Sequence, residues 1–375
     1  VMMIYSKWYD PYRDRMCSLE CALDTFEATT RSWREDHKGW QAYKIRMWKR
    51  KPLRQFFGQH GRVSFVSSMV KSTRLASTRK LVWAGSGKES DKNIIRIEDG
   101  FLRSRGLGAE LTPPLSLSCE DLGIYYDPSQ ESRLERLIKS SIILREDQID
   151  RIKRLKNSFI NQQLTKYNLP GKTHKLPAGK RILVPGQVED DASVLRGTQR
   201  VQTNLDLLRV VRSNNPNDII IYKPHPDVEA KLRKGRIPLE QALLYADAIT
   251  DNADVSHLLS EVAEVHTMTS LTGFEALLRG LKVTTYGVPF YAGWGLTTDK
   301  ATIPARRNQC IDLDSLIYAA LIAYPRYFDP VTKQACPVEV VVDRLSKSQA
   351  LPRSKANRLL AKVQGLLATP HPFWR

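Results

Sequence analysis

"RILVPGQVEDDASV", residues 181 to 194, is the stretch on which the reading of the fold turns. RILVP is a short run of aliphatic and small residues, as a buried strand requires. The residues after it read as the loop leaving that strand, and they include three acids, Glu189, Asp190 and Asp191, in a chain with a large positive excess. Runs of the same kind lie downstream at DIIIYK (218 to 223), EVHTM (264 to 268) and KVTTYG (282 to 287). Others lie upstream at RVSFV (62 to 66), KLVWA (80 to 84) and NIIRI (93 to 97). Stretches long enough for crossover helices separate them, so the pattern predicts the α/β class, with two Rossmann-like lobes and a ligand cleft between the carboxyl ends of their sheets. The expected division is an N-terminal lobe over 61 to 170 and a C-terminal lobe with terminal helices over 171 to 375. A polar helical stretch from about 131 to 165 and the turn-rich YNLPGKTHKLPAGK (167 to 180) lie between the two sets of strands.

The composition suits such a protein. A length of 375 residues with 42% hydrophobic and 26% charged side chains is that of a folded globular chain without a disorder signature. A formal charge of +18, from 58 basic against 40 acidic residues, points to a polyanionic partner: nucleic acid, anionic lipid or a phosphorylated substrate. No apolar run approaches the roughly 20 residues that span a bilayer, and the first residues lack a signal-peptide pattern, so a cytosolic place is expected, free or on the inner face of a membrane. Five scattered cysteines without a CxxC pair read as small core residues of a reducing compartment.

One stretch is written twice. YSKWYDPYRDRMCSLECALD (5 to 24) and YPRYFDPVTKQACPVEVVVD (324 to 343) share Tyr5/Tyr324, Asp10-Pro11/Asp329-Pro330, Cys17/Cys336, Glu20/Glu339 and Asp24/Asp343 in register. We read a helix end, a turn and a new helix, and take residues 1 to 26 as the tail of a preceding module. Residues 27 to 60 read as a basic helical segment in which Trp33, Trp40 and Trp48 stand among arginines and lysines. Such a segment either lies on an anionic membrane or packs its tryptophans on the core.

Several motifs follow strands. VWAGSGKES (82 to 90) is not a phosphate-binding loop, because Val82 and Glu89 stand where that loop needs Gly and Ser or Thr. RIEDGFLRSRGLG (96 to 108) sets Glu98, Asp99 and Gly100 at a strand end with Arg103 and Ser104 behind, for proton transfer or merely as a capped, ion-paired turn. YKPHPDV (222 to 228) holds Lys223 and His225 between Pro224 and Pro226, a stiff pair suited to a phosphate, although a lone His is more often structural. TSLTGFEALLRG (269 to 280) offers Thr269, Ser270 and Gly273 at a helix start, and Glu275 in its first turn, for an anion and a ribose or simply as caps. YGVPFYAGWGLT (286 to 297) is either a sugar-lining loop or a packed turn.

Taken with PPLSL (113 to 117), GIYYD (123 to 127) and GQVEDDAS, these motifs resemble the KpsC family of capsule polysaccharide Kdo transferases, over roughly residues 62 to 345. The resemblance implies a GT-B-like, retaining transferase that moves Kdo from CMP-β-Kdo to a β-Kdo-terminated lyso-phosphatidylglycerol at the cytoplasmic face of the inner membrane. It also implies tandem modules, this one being the second and forming a β-(2→7) bond, with no metal and no nucleic acid involved. By the family's Gln-x-x-x-Asp motif, Asp191 is the nucleophile of a double displacement and Gln187 orients it or the donor. Glu98 is the implied acid/base, with Asp99 as rival. Lys223, His225, Pro226, Thr269, Ser270, Gly273 and Glu275 form the implied CMP site. Asp99, Gly100, Arg103 and Ser104 are the implied Kdo and acceptor contacts. Arg105 departs from the family pattern beside those contacts. Two rivals remain: an inverting CMP-sugar transferase of the sialyltransferase kind, and a non-catalytic basic module for polyanions.

Overall fold

A computed structural model describes residues 6–67, 79–84, 94–108 and 111–347. The chain divides into two units: residues 1–121 together with 324–375, and residues 122–323. In chain order the first unit holds strands β1 (Trp8–Asp10), β2 (Arg15–Cys17), β3 (Trp40–Tyr43), β4 (Val63–Val66), β5 (Arg79–Trp83), β6 (Ile94–Asp99) and β7 (Ser116–Glu120). The second holds β8 (Arg181–Pro185), β9 (Ile219–Lys223), β10 (Ala248–Ile249), β11 (Glu264–Thr267), β12 (Lys282–Thr285) and β13 (Thr298–Asp299). The chain then returns to the first unit with β14 (Arg326–Asp329) and β15 (Gln334–Cys336).

The second unit's sheet runs in the order β10-β9-β8-β11-β12-β13 with every pair parallel. Its first strand in sequence is β8, so the order is 3-2-1-4-5-6, that of a doubly wound Rossmann sheet. Residues 182–185 of β8 are all buried, as in a central parallel strand covered on both faces, which is why RILVP is a continuous apolar run. Ile182, Val184, Ile220 and Tyr222 pack with Leu207, Leu208 and Val211 of the helix Asn204–Asn214 to form the core.

The first unit's sheet has seven strands in the order β15-β14-β7-β6-β5-β3-β4. β3 to β6 pair in parallel, but β7, β14 and β15 are added antiparallel, so this lobe's sheet is mixed where alternating strands and crossover stretches suggest a parallel one. Trp40, Leu53, Phe56 and Phe57 fill its core together with Leu81, Ile97, Leu117 and Phe328.

The boundaries differ from those read in the sequence. The helices Arg133–Ser140 and Glu146–Asn161 belong to the second unit, where Gln148 donates to Tyr318 and Glu135 pairs with Arg306 and Arg307. The turn-rich 167–180 is internal to that unit and no joint between lobes, with Lys172 bridged to Ala253. The terminal segment from Tyr324 returns to the first unit because Arg326 pairs with Leu117 across β14 and β7. The Arg326 guanidinium is then buried against Asp36, donating to Oδ1 at 2.8 Å.

Residues 27 to 60 are not one helix. The helix Leu19–Asp36 runs across the supposed boundary at 26, β3 interrupts the segment, and Met47–Phe57 forms a second helix. Trp40 is buried and donates its indole N–H to Asp36, so for that residue the packing alternative is the observed one, whereas Trp33 is exposed and stacks on His37. The repeat also differs from expectation, since each copy opens with a β-hairpin where a helix end was expected, and only then starts a helix.

Candidate functional site

In the second unit, the loops leaving β8 and β11 meet at the point where strand order reverses, between the first and fourth strands. There the crossovers diverge to opposite faces and leave a crevice at the carboxyl ends. Gln187 joins the two loops. Its Nε2 donates to Thr269 Oγ1 at 2.9 Å, and its Oε1 accepts from the Thr269 amide at 2.9 Å and from Thr267 Oγ1 at 3.2 Å. Gln187 is itself buried and fixed by Asn204, whose Oδ1 takes the Gln187 amide proton and whose Nδ2 donates to the Gln187 carbonyl, both at 2.8 Å. Asn204 and Thr267 are contributors that no motif flagged.

The three acids of the β8 loop have different environments. Glu189 accepts from the Asn204 amide at 2.9 Å. Asp190 forms an outward ion pair with Arg233 at 3.0 Å, both side chains being well solvated. Asp191 caps the helix Ala192–Gly197, its Oδ1 accepting from the Ser193 amide at 2.9 Å and from Ser193 Oγ at 2.7 Å. Both bonds fall on Oδ1, so Oδ2 takes no hydrogen bond among the described residues. A carboxylate oriented through one oxygen with the other left unbonded has the form a nucleophile needs.

The β9 loop lies beside them, since a Cβ built on Gly186 would stand 3.2 Å from the His225 amide nitrogen. His225 caps the helix Pro226–Glu229, its Nδ1 accepting from the Asp227 amide at 3.1 Å. Burial pushes its pKa down to about 3, helped by the cations Lys223, Lys166 and Arg233, while Asp191 opposes the shift. The imidazole is therefore neutral, with Nδ1 as acceptor and the proton on Nε2, a hydrogen-bond donor. Pro226 occupies the first position of the helix, where its missing N–H costs nothing. Lys223 is buried and already engaged, donating to the Pro224 carbonyl at 2.8 Å and to Glu229 at 3.2 Å. Burial holds its pKa below the usual lysine value against the pull of Glu229.

Ser270 caps the helix Leu271–Leu278, accepting from the Thr272 amide, while its own amide donates to Thr267 Oγ1. Gly273 is required by packing, because a Cβ there would collide with Tyr291 Oη. Glu275 is buried, with its pKa raised by burial, and accepts from the Lys166 amide at 2.7 Å, so this carboxylate anchors the stretch before β8. The aromatic loop at 286 to 297 is a packed turn: Phe290, Tyr291 and Trp294 are buried, and the Arg307 guanidinium donates to the carbonyls of Pro289 and Ala292.

The first unit places Glu98 and Asp99 at the carboxyl end of β6. Asp99 pairs with Arg103 at 2.6 Å, and that almost fully buried guanidinium also donates to Ser104 Oγ and the Thr112 carbonyl. Ser104 passes the chain on to the Gly106 carbonyl. Arg103 and Ser104 thus brace the loop after β6. Gly100 lets that loop approach β7, since a Cβ would collide with Ser116 Oγ. Glu98 accepts from the Asp99 amide at 3.0 Å. Lys49, one of the lysines of the basic 27–60 segment, sits over the Trp83 ring, and burial pushes its pKa down to about 8 against the pull of Glu98 and Asp99. Of VWAGSGKES, residues 85 to 90 lie outside the described residues.

A family described as "Capsule polysaccharide biosynthesis protein" matches residues 77–327, two-thirds of the chain and the whole of the crevice just described. The chain belongs to this family. It is 41% identical over 366 residues to the capsule polysaccharide modification protein LipA of Neisseria meningitidis serogroup B, covering 93% of this chain and 51% of LipA. The chain thus spans about half the length of that curated relative. Among solved structures it is similar to the β-Kdo 2,7 transferase of Thermosulfurimonas dismutans KpsC, with TM-score 0.69 and 33% identity, covering 83% of this chain and 99% of that one. The β-Kdo 2,4 transferase of the same KpsC aligns with TM-score 0.71 and 31% identity, covering 83% and 98%. These likenesses and the two sheets establish the GT-B-like α/β fold class for this capsule-family chain.

Proposed function

We propose that the chain is a glycosyltransferase that moves Kdo from CMP-β-Kdo to a β-Kdo-terminated glycolipid in capsule biosynthesis, with retention and a β-(2→7) bond. The observation that supports this reading is the Gln187 bridge at the switch point, on the same β8 loop as Asp191 and at the place where a doubly wound sheet receives its ligand. The class of reaction comes from the family and its Kdo-transferring structural relatives.

In the proposed mechanism the carboxylate of Asp191 attacks the anomeric carbon of Kdo, and the bond to the CMP phosphate oxygen breaks, leaving a Kdo-Asp191 ester and CMP. An acceptor hydroxyl then attacks the same carbon as its proton passes to Glu98, which frees Asp191 and restores the β configuration. Neutral His225, donating from Nε2, and the cations around it would meet the CMP phosphate. Because Lys223 is engaged by Glu229, its part would be through the field it contributes to the site. The proposed reaction invokes no metal. We further propose that the acceptor is a lyso-phosphatidylglycerol carrying Kdo, met at the cytoplasmic face of the inner membrane, where the net charge of +18 favours an anionic surface. No helix of the described residues is long and apolar enough to cross a membrane.

The test is intact-protein mass spectrometry of Glu98→Gln after mixing with CMP-Kdo, followed by NMR of the wild-type product on a short β-Kdo acceptor. One added Kdo mapped to Asp191, and a β-(2→7) product, are expected. An inverting route is indicated instead if no adduct forms and Asp191→Asn keeps more than a tenth of the wild-type rate.

A further inference from the structure

Trp48 and Lys49 stand in the first turn of the helix Met47–Phe57, whose later residues Leu53 and Phe57 pack with Leu81 of β5 and Ile97 of β6. Trp83 lies opposite Ile97 across those two strands, and Asp99 follows Ile97 on the same face of β6. The helix start therefore lies by the carboxyl end of the sheet, where Trp48, Lys49, Trp83, Asp99 and Arg103 line one small pocket.

Two side chains of this pocket carry donors that the fold does not satisfy. The indole N–H of Trp48 is buried and has no hydrogen-bond partner among the described residues. The Lys49 ammonium lies 2.9 Å from the centroid of the Trp83 ring and 5.2 Å from that of Trp48. An aromatic face offsets part of the cost of taking a cation out of water, but it does not accept the three N–H groups as oxygen atoms do. Among the described residues that ammonium makes no hydrogen bond or ion pair to an oxygen. Arg103, by contrast, is fully engaged by Asp99, Ser104 and the Thr112 carbonyl. The charged groups facing Lys49 are Glu98, Asp99, Arg46 and Arg103, which with Lys49 itself makes three cations against two acids. Desolvated donors without acceptors are costly, and a positive excess around them calls for an anion. The enclosed space of about 10 Å³ is that of one water-sized group, so it takes an oxygen of a carboxylate and not a sugar ring.

We infer that Lys49 and Trp48 form the subsite for the carboxylate of the acceptor's terminal sugar acid, Lys49 by an ion pair and Trp48 by an indole hydrogen bond. Lys49 thus takes the part that the sequence offered to Arg103. Held by its carboxylate, the sugar presents its hydroxyl to Glu98, which is among the groups facing Lys49. That neighbour is the reason for choosing the acceptor over the donor, and to this extent the inference rests on the transferase reading. The subsite has its own pH signature. Burial holds the Lys49 pKa at about 8, so the ammonium is charged below that pH and neutral above it, and acceptor affinity falls as pH rises through about 8.

Calorimetric titration of the 375-residue chain with a short β-Kdo acceptor, without donor, tests it against the same acceptor carrying a carboxamide in place of its terminal carboxylate. At pH 7 the wild type should prefer the carboxylate at least about tenfold, the worth of a charge-assisted hydrogen bond. Lys49→Met, which keeps the aliphatic packing without the charge, should bind both compounds alike and the carboxylate at least about tenfold more weakly than the wild type does. Between pH 7 and 9 the wild type should lose its preference while Lys49→Arg, charged throughout, keeps one. If the melt of Lys49→Met shows that it does not fold, the carboxamide comparison on the wild type decides alone. A wild type that binds the two compounds equally or binds neither overturns the inference, and so does a folded Lys49→Met that keeps the preference. Weakened binding of CMP-Kdo with acceptor binding intact overturns it in favour of the donor's carboxylate. Release of CMP from CMP-Kdo, measured in parallel, reports the transferase reading separately, so either can fail without the other.

Discussion

Replacing Gln187 by alanine should loosen the crevice without touching a reacting atom. The substitution removes the bonds to Thr269 Oγ1, the Thr269 amide and Thr267 Oγ1. Three lost bonds at a net of about 1 kcal/mol each give a destabilisation of the second unit of about 3 kcal/mol, nearer the upper end because donors are left unpaired in a buried setting. For a unit of this size that corresponds to a fall in melting temperature of about 6–12 °C. The loops after β8 and β11 would then move independently, so donor turnover should fall by more than the stability loss requires at temperatures where the variant is fully folded. The assay is a double-mutant cycle with Thr269→Val, followed by thermal melts and CMP release. Because the two side chains share a bond, their effects should fall short of additivity by about 1 kcal/mol. Strict additivity, or a melt within about 1 °C of the wild type for Gln187→Ala, would refute the claim that this glutamine ties the two loops together.

Two further outcomes follow from buried groups. His225 is a base whose folded pKa is depressed, so below about pH 6.5 the unfolded chain takes up a proton that the native state refuses until about pH 3. Its contribution therefore destabilises the fold progressively as pH falls through that window, by up to roughly 4–5 kcal/mol, and vanishes above it. Urea midpoints between pH 7 and 4 should fall less steeply for His225→Gln than for the wild type, and parallel curves would clear this residue of the effect. In the first unit, Asp36→Ala leaves the Arg326 guanidinium buried without its main partner, which should cost about 3–5 kcal/mol in chemical denaturation. A loss below about 1 kcal/mol would show that Glu35, already 3.2 Å from Arg326, takes over the charge.

The central strands were legible because burial on both faces writes itself as an unbroken apolar run. RILVP coincides with β8, and DIIIYK and EVHTM locate β9 and β11 to within a residue. β3 was not legible, since WQAY sits in a basic stretch whose periodicity is that of the helices on either side, and only its pairing with β4 and β5 makes it a strand.

The positions of Asp191, Gln187, His225 and Ser270 at strand ends could be read from motif spacing, because a loop that follows a strand is a local fact. Their partners could not. Asn204 is distant in sequence from the Gln187 it fixes, Glu229 claims the Lys223 ammonium that the motif seemed to offer to a phosphate, and the freedom of Gly273 serves Tyr291. The sequence by itself determined the strands, the loops that carry polar side chains, and a repeat whose register is the same in both copies. Tertiary structure alone decided where the chain changes unit and which charges are already paired. Local periodicity records only what each residue needs around it, and the partner that meets the need is supplied by a distant part of the chain.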